Sequence, residues 1–393
     1  MSFKRFHPYP FYLSSEYLIS GRQNTLHPNM ASIPIWLDCD TGHDDAFAIL
    51  LAAHYPSARL LGVSTVYGNA PLHHTTPNSL SILTAIRKTS IPVYAGASKP
   101  FCRAAASAAD IHGESGLDGT TLLPKPVNIE QRDEPAVVAM AEALAATAKG
   151  TAWIVATGCL TNIALLFAIY PQLAEHIAGL SIMAGAIGGG FTDAPMGEVQ
   201  GEGERFGNWT PWAEFNIYLD PEAARCVFDN AVLAGKTTLV PLDLTHQFLA
   251  TPYVQKMLLH GPKADINGAT NAPQPSEVRE LFIEILNFFA GTYATVFGII
   301  LGPPLHDPLA VAAAITPELL DDLGGERYAV DVVTEGEHGS AEHVRSGASQ
   351  CGRTIATQLP RDQAGVRIPR ALQKEKLWKM IEQCLASAER AQK

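Results

Sequence analysis

The chain has 393 residues, 47% hydrophobic and 17% charged, with a formal net charge of -11 at pH 7. That is enough apolar sequence for one large α/β domain or two smaller ones. The acidic balance argues against nucleic acid or an anionic membrane surface as partner, since both reward clustered lysine and arginine. There is no run of roughly 18 consecutive apolar residues, so no membrane-spanning segment is expected. Cys39, Cys102, Cys159, Cys226, Cys351 and Cys384 form no CxxC pair and read as reduced thiols in a reducing compartment, here the cytoplasm.

Residues 1–32 mix aromatics, proline and serine with no clean period. They lack the apolar core of a secretory signal and are expected to be a poorly ordered extension. They carry few acids and some basic residues, which leaves a transit peptide as an alternative, and Met30 is an alternative natural start. The core begins with a strand-like run at 33–37, followed by Asp38, Asp40, Asp44 and Asp45 and then a helix-like run at 46–53. Strands are expected at 59–67, 91–95, 152–156, 180–184 and 237–242, with helices near 76–88, 135–149, 161–170 and 221–228. The 135–149 helix would be closed by Gly150. Residues 185–211 read as a long flexible loop over a site. A long apolar helix covers 277–297, and a buried helix follows the Gly-Pro-Pro turn near 302–304. The C-terminal part reads as strands at 328–334, 354–358 and 365–368. A closing amphipathic helix places Leu377, Met380, Ile381, Cys384 and Leu385 on one face. Strands alternating with helices predict an α/β fold: an open, mainly parallel sheet with helices on both faces. No linker-like composition shift divides 33–393, so a single domain is expected there.

The acidic turn sits where a strand ends and a helix begins, the place where open α/β sheets bind ligands. One or two carboxylates would serve as a helix cap, but four repel one another unless a cation lies among them. A hard divalent ion with oxygen ligands, Ca²⁺ or Mg²⁺, answers that need. Other polar residues fall at strand ends or helix starts: Asn69, Thr157, the Glu214-Phe215-Asn216 triplet, and His306-Asp307. Each alone is weak, since capping explains several of them. Together they supply what a metal-assisted hydrolase acting on a hydroxylated substrate needs.

The stretches LDCDTGHDDAFAILLA, STVYGNA, DIHGESGLDG, ATGCLTNIA, AEFNIYLDPEAA, PLDLTHQ and PPLHDPLAV run in order through the chain. In these the chain resembles the nucleoside hydrolase family, the inosine-uridine-preferring nucleoside N-ribohydrolases, and is most similar to its fungal uridine nucleosidase branch. The resemblance implies that Ca²⁺ is held by Asp40, Asp45, the Thr157 carbonyl and Asp307. It makes Asp40 the base that activates water, puts Asp44 and Asn216 on ribose hydroxyls with Asn69 nearby, and puts Asn208 and Glu214, with Phe215 between Glu214 and Asn216, at the 5′ end. His306 would lie by the base as a catalytic residue, with Tyr293 at a leaving-group position and His112 in a loop bordering the base. It also implies a small-molecule nucleoside substrate, uridine or another pyrimidine or inosine-type nucleoside, with a purine preference as the alternative, and a homodimer or homotetramer. Thr41 stands where the family often has proline, and the 185–211 loop is longer than in compact relatives, which bears on the match of Asn208. Two other readings stand beside this one: a phosphatase built on a DxDxT-like loop, and a silent ribose-binding protein. Gly42 and the Asp44-Asp45 pair do not suit the first, and the full set of aspartates argues against the second.

Overall fold

The computed structural model describes residues 32–131, 133–196, 198–199, 203–204, 206–262, 274–339 and 349–392. From Ser32 onward the chain is one unit by its internal contacts. The poorly ordered extension expected over 1–32 lies, except for Ser32, outside these residues.

Six parallel strands form the central sheet: β1 (Ile33–Cys39), β2 (Ala58–Thr65), β3 (Val93–Ala95), β4 (Trp153–Ala156), β5 (Gly179–Met183) and, beyond a short antiparallel pair β6 (Glu198–Val199) and β7 (Gly203–Glu204), β8 (Thr237–Val240). The order is β3-β2-β1-β4-β5-β8. The chain winds outward from β1 to one edge, then returns to β4 and winds to the other. The switch in winding direction therefore falls between β1 and β4, the crevice where such sheets take ligands.

β1 shows why the strands read as almost continuously apolar. Ile35, Leu37 and Cys39 enter the apolar layer on one face, and Trp36 enters the layer on the other. The first layer holds the helices His43–His54, Asp307–Ile315 and Lys374–Ala391, and the second holds Ala136–Ala145, Thr161–Ile169 and Pro221–Phe228. A sheet covered on both faces needs apolar side chains in both directions.

Several element boundaries differ from the sequence reading. The second helix runs Leu72–Ala85 and carries Pro77 in its interior, where the missing N–H forgoes one i→i−4 hydrogen bond. The helix expected over 135–149 ends at Ala145, and Gly150 instead takes φ +78° in the following turn. The run 365–368 makes only isolated bridges through Val366 and Arg367, and the Arg367 guanidinium binds the Leu320 and Pro317 carbonyls and Asp322. The described part of the 185–211 loop is partly built: β6 and β7 lie within it, and the N–H groups of Ile187 and Gly188 donate to Asp243 at 2.7 and 2.8 Å. Cys102 and Cys226 are exposed, whereas the other four cysteines are buried. The helix Glu277–Phe297 is long and apolar enough, by length and composition, to cross a membrane. Here Phe282, Ile285, Leu286 and Phe289 bury its inner face within the fold.

Candidate active site

The C-terminal end of β1 collects the site. Asp38 is its second-last residue and pairs with Ser64 of β2 and Ala156 of β4. The Ser64 hydroxyl donates to Asp38 Oδ1, and Asn162 Nδ2 donates to the same oxygen at 2.8 Å. Burial pushes the Asp38 carboxyl up to about 7. Its backbone carbonyl accepts the N–H of Thr157 at 2.8 Å, so sheet pairing itself sets Thr157 beside the acidic turn.

The turn then enters the helix His43–His54. Gly42 donates its N–H to Asp45 Oδ2 at 2.8 Å, one half of a capping box. The same Oδ2 accepts from Asn69 Nδ2 at 3.0 Å, while Oδ1 accepts from the Thr157 hydroxyl at 2.8 Å. Asp40 Oδ2 accepts the Asn69 N–H at 2.8 Å, but its Oδ1 is buried with no partner among the described residues. Asp44, Asp45 and Asp307 bring carboxylate oxygens within 4.8 Å of one another.

Asp40, Asp44, Asp45 and Asp307 are all buried. Burial raises the carboxyl of each, and the neighbouring carboxylates raise those of Asp40, Asp44 and Asp307 further, Asp44 reaching about 7. The backbone N–H groups of His306 and Asp307 partly offset this at Asp44. Among the described residues, no lysine or arginine forms an ion pair with any of the four. Crowded oxygen donors, an orphaned Asp40 Oδ1 and no cationic side chain fit a hard divalent cation.

A cleft opens over this floor. Asp44, Asp307 and Thr157 line its acidic side, while Asp40 and Asp45 are fully buried and do not line it. Asn69, Asn208, Glu214 and Asn216 add polar groups. Asn216 Nδ2 bridges the Thr157 and Met183 carbonyls at 2.9 and 3.2 Å. Glu214 caps the helix Phe215–Leu219 through the N–H groups of Asn216 and Ile217, and it also accepts the Gly185 N–H. Asn208 Oδ1 accepts the Phe215 N–H at 2.9 Å, so the loop residue is tied to the same helix start.

The opposite wall is aromatic and imidazole. Phe215, Phe289, Tyr293, Phe297, His112 and His306 line it. The Tyr293 hydroxyl lies 2.7 Å from His306 Nε2, and His306 Nδ1 lies 2.7 Å from the Thr245 hydroxyl. Burial drives His306 well below the usual histidine range and Tyr293 well above the usual tyrosine range, so both are neutral.

Apart from Asp38, which is held within the sheet by Ser64 and Asn162, the residues singled out from the sequence lie in the cavity wall or among the buried carboxylates beneath it. The sequence reading assigned no role to His43, Thr245, Asn162 or Ser64. Each acts through a pairing between elements distant in sequence, and the one local hint was His43, inside the DTGHDD turn.

An open parallel sheet carrying a carboxylate floor fit for a cation and hydroxyls, and an aromatic wall at its switch point, defines an α/β enzyme whose site suits a hydroxylated substrate bearing a planar ring. The family model for inosine-uridine preferring nucleoside hydrolase matches residues 35–379. The chain belongs to this family, and its reaction is hydrolysis of ribonucleosides to free base and ribose. It is 42% identical over 285 residues to the uridine nucleosidase of Saccharomyces cerevisiae, covering 72% of this chain and 76% of that protein. It is 38% identical over 307 residues to the pyrimidine-specific ribonucleoside hydrolase RihA of Escherichia coli K12, covering 78% and 86%. Among solved structures, the purine-preferring ribonucleoside hydrolase of Gardnerella vaginalis aligns with TM-score 0.71 and 26% identity, covering 91% of this chain and 99% of that one.

Proposed function

We propose that this hydrolase is calcium-dependent and prefers uridine and other pyrimidine ribonucleosides. The observation that carries the metal reading is the set of four buried aspartates with no lysine or arginine partner among the described residues, three of which, Asp44, Asp45 and Asp307, bring carboxylate oxygens within 4.8 Å of one another, with Asp44 and Asp307 reaching the cavity wall. The pyrimidine reading is supported by the likeness to the yeast and bacterial enzymes. In this reading Asp40, Asp45, Asp307 and the Thr157 carbonyl hold Ca²⁺. When bound, the ion lowers the pKa of water and grips vicinal hydroxyls. Asp40 offers its unpartnered Oδ1 as the base that takes the proton of the attacking water. Asp44 and Asn216 hold ribose hydroxyls with Asn69 beside them, and Asn208, Glu214 and Phe215 bound the 5′ end. The C1′–N bond breaks with positive charge developing on the ribose, which the surrounding carboxylates stabilise. The departing base takes a proton from the Tyr293–His306 pair, and His112 borders it. We further place the protein in the cytoplasm as a homodimer or homotetramer, a state that light scattering on the purified protein reads directly.

The test is a reducing-sugar assay on uridine, cytidine, inosine and adenosine, before and after chelation. Uridine is expected to give the highest kcat/KM, with activity lost on chelation and restored by Ca²⁺. Faster turnover of inosine or adenosine assigns a purine preference instead. Activity indifferent to chelation and to added metal overturns the calcium assignment.

A further inference from the structure

Two buried histidines outside the metal cluster set a hydrogen-bond polarity at the cavity wall. His43 Nε2 lies 2.9 Å from the backbone carbonyl of Asp118, and His43 Nδ1 lies 3.1 Å from His112 Nδ1. A carbonyl oxygen only accepts, so His43 must carry its proton on Nε2. The His43 ring is buried against Phe288 and Phe289, and neither ring nitrogen meets a carboxylate, so the ring is neutral and its Nδ1 is a lone pair. His112 must then donate from Nδ1. His112 is also neutral, held well below the usual range by burial and by His43, so its Nε2 is a lone pair. His112 lines the cavity, and Nε2 is its remaining polar atom, with no partner among the described residues.

The surroundings hold this arrangement in place. Gly113 and Gly116, at φ +75° and +84°, form the tight turn that closes on the Asp118 side chain and presents its carbonyl. The His43 ring lies parallel to Phe288 and Phe289, with centroids at 5.1 and 5.6 Å. A Cβ on Gly42 would come within 2.6 Å of His112 Nδ1, so glycine there makes room for the pair.

We propose that His43 is a positioning residue that fixes His112 as the Nδ1–H tautomer, so that His112 presents Nε2 as an acceptor for a ring N–H of the bound nucleobase. The recognised group is a lactam N–H, as at N3 of uracil. This rests on placing the base beside His112, as in the pyrimidine reading above.

Three proteins test it: the wild type, His43→Phe, which keeps a flat ring between the phenylalanines, and His43→Gln, whose amide keeps one donor and one acceptor. Each is assayed on uridine and on 3-methyluridine, which lacks the N–H. In the wild type the N-methyl substrate loses kcat/KM mainly through KM. In His43→Phe that preference shrinks by about tenfold, the worth of one hydrogen bond, whereas His43→Gln keeps most of it. The preference unchanged in His43→Phe overturns the proposal. The ¹⁵N spectrum of histidine-labelled wild type, with His112→Gln for assignment, reads the tautomer without relying on activity or on a folded His43 variant. A protonated Nε2 on His112 also overturns it. Absence of uridine hydrolysis in wild type alongside the expected tautomer would instead sink the pyrimidine reading.

Discussion

Asp40→Asn separates the chemistry of Asp40 from its place in the fold. Asp40 has two unlike oxygens: Oδ2 accepts the Asn69 N–H at 2.8 Å, and Oδ1 is buried without a partner. An asparagine must turn its carbonyl oxygen toward Asn69, because an N–H facing an N–H is repulsive and leaves a buried donor unpaired, at about 1–3 kcal/mol. That choice puts an NH₂ where the free Oδ1 was. The variant therefore keeps the turn and loses the unpartnered oxygen proposed to accept a proton from water. Loss of a positioned general base reduces the rate roughly 10²–10⁴-fold, or about 3–5 kcal/mol in the barrier. The assay is kcat on uridine at saturating substrate and saturating Ca²⁺, so that weaker metal binding does not masquerade as slower chemistry. Thermal unfolding with metal present should change little. A folded, metal-saturated Asp40→Asn within threefold of wild-type kcat would refute the assignment of Asp40 as base.

Other perturbations read different parts of the molecule. Tyr293→Phe removes the hydroxyl 2.7 Å from His306 Nε2; kcat should fall at least about tenfold on uridine and far less on a p-nitrophenyl riboside, whose leaving group needs no proton, and equal losses on both would exclude Tyr293 from leaving-group protonation. Arg279 is buried and pairs with Glu382 and Glu389 at 3.0 Å each; Arg279→Met strands the buried Glu382 and should cost about 3–5 kcal/mol in urea unfolding with little change in KM. Burial lowers His246 to about 4 from an ordinary 6.5, with Nδ1–H donating to the Pro195 carbonyl. The unfolded chain therefore binds a proton that the fold refuses as pH falls from about 6.5 to 4. Stability drops across that window by on the order of 3 kcal/mol from this group, and His246→Gln should flatten the decline in unfolding free energy. A slope identical to wild type would show that His246 is not buried neutral.

The sheet and the acidic turn were legible because their signals are local. An apolar run, a burst of aspartates and a second apolar run mark a strand end and a helix start whatever the rest of the chain does. Thr157 and Asp307 were reachable by resemblance, and the sheet order explains why they converge, since the loop after β4 borders β1. Boundaries were less legible. The helix expected from about 76, with Pro77 in its first turn, instead begins at Leu72 and holds Pro77 in its interior, where the buried Leu80, Ile82 and Leu83 anchor it despite the lost hydrogen bond. The run 365–368 has strand composition, yet it makes only bridges. The His43–His112 and Thr245–His306 pairs join residues 69 and 61 positions apart. No periodicity encodes such pairs, because they depend on which helix ends the fold brings together.

The division of labour among the aspartates follows from strand register. In a strand, successive side chains point to opposite faces, so Asp38 and Asp40 project to the same side of β1, separated by Cys39, which enters the apolar layer. Asp38 is still within the sheet and finds strand and helix partners, Ser64 across the register and Asn162 at the start of the next helix. Asp40 is one step past the last sheet pairing and finds only the Asn69 N–H for one oxygen. Each leaves one buried oxygen unpartnered among the described residues, Oδ2 of Asp38 and Oδ1 of Asp40, so what separates them is two residues of chain: Asp40 is far enough to leave the ladder, near enough that the sheet still fixes the backbone that carries it. A one-residue slip of β1 would exchange the buried cysteine with the acids. The rigid pairing of β1 with both neighbours is therefore as much a part of the active site as the aspartates themselves.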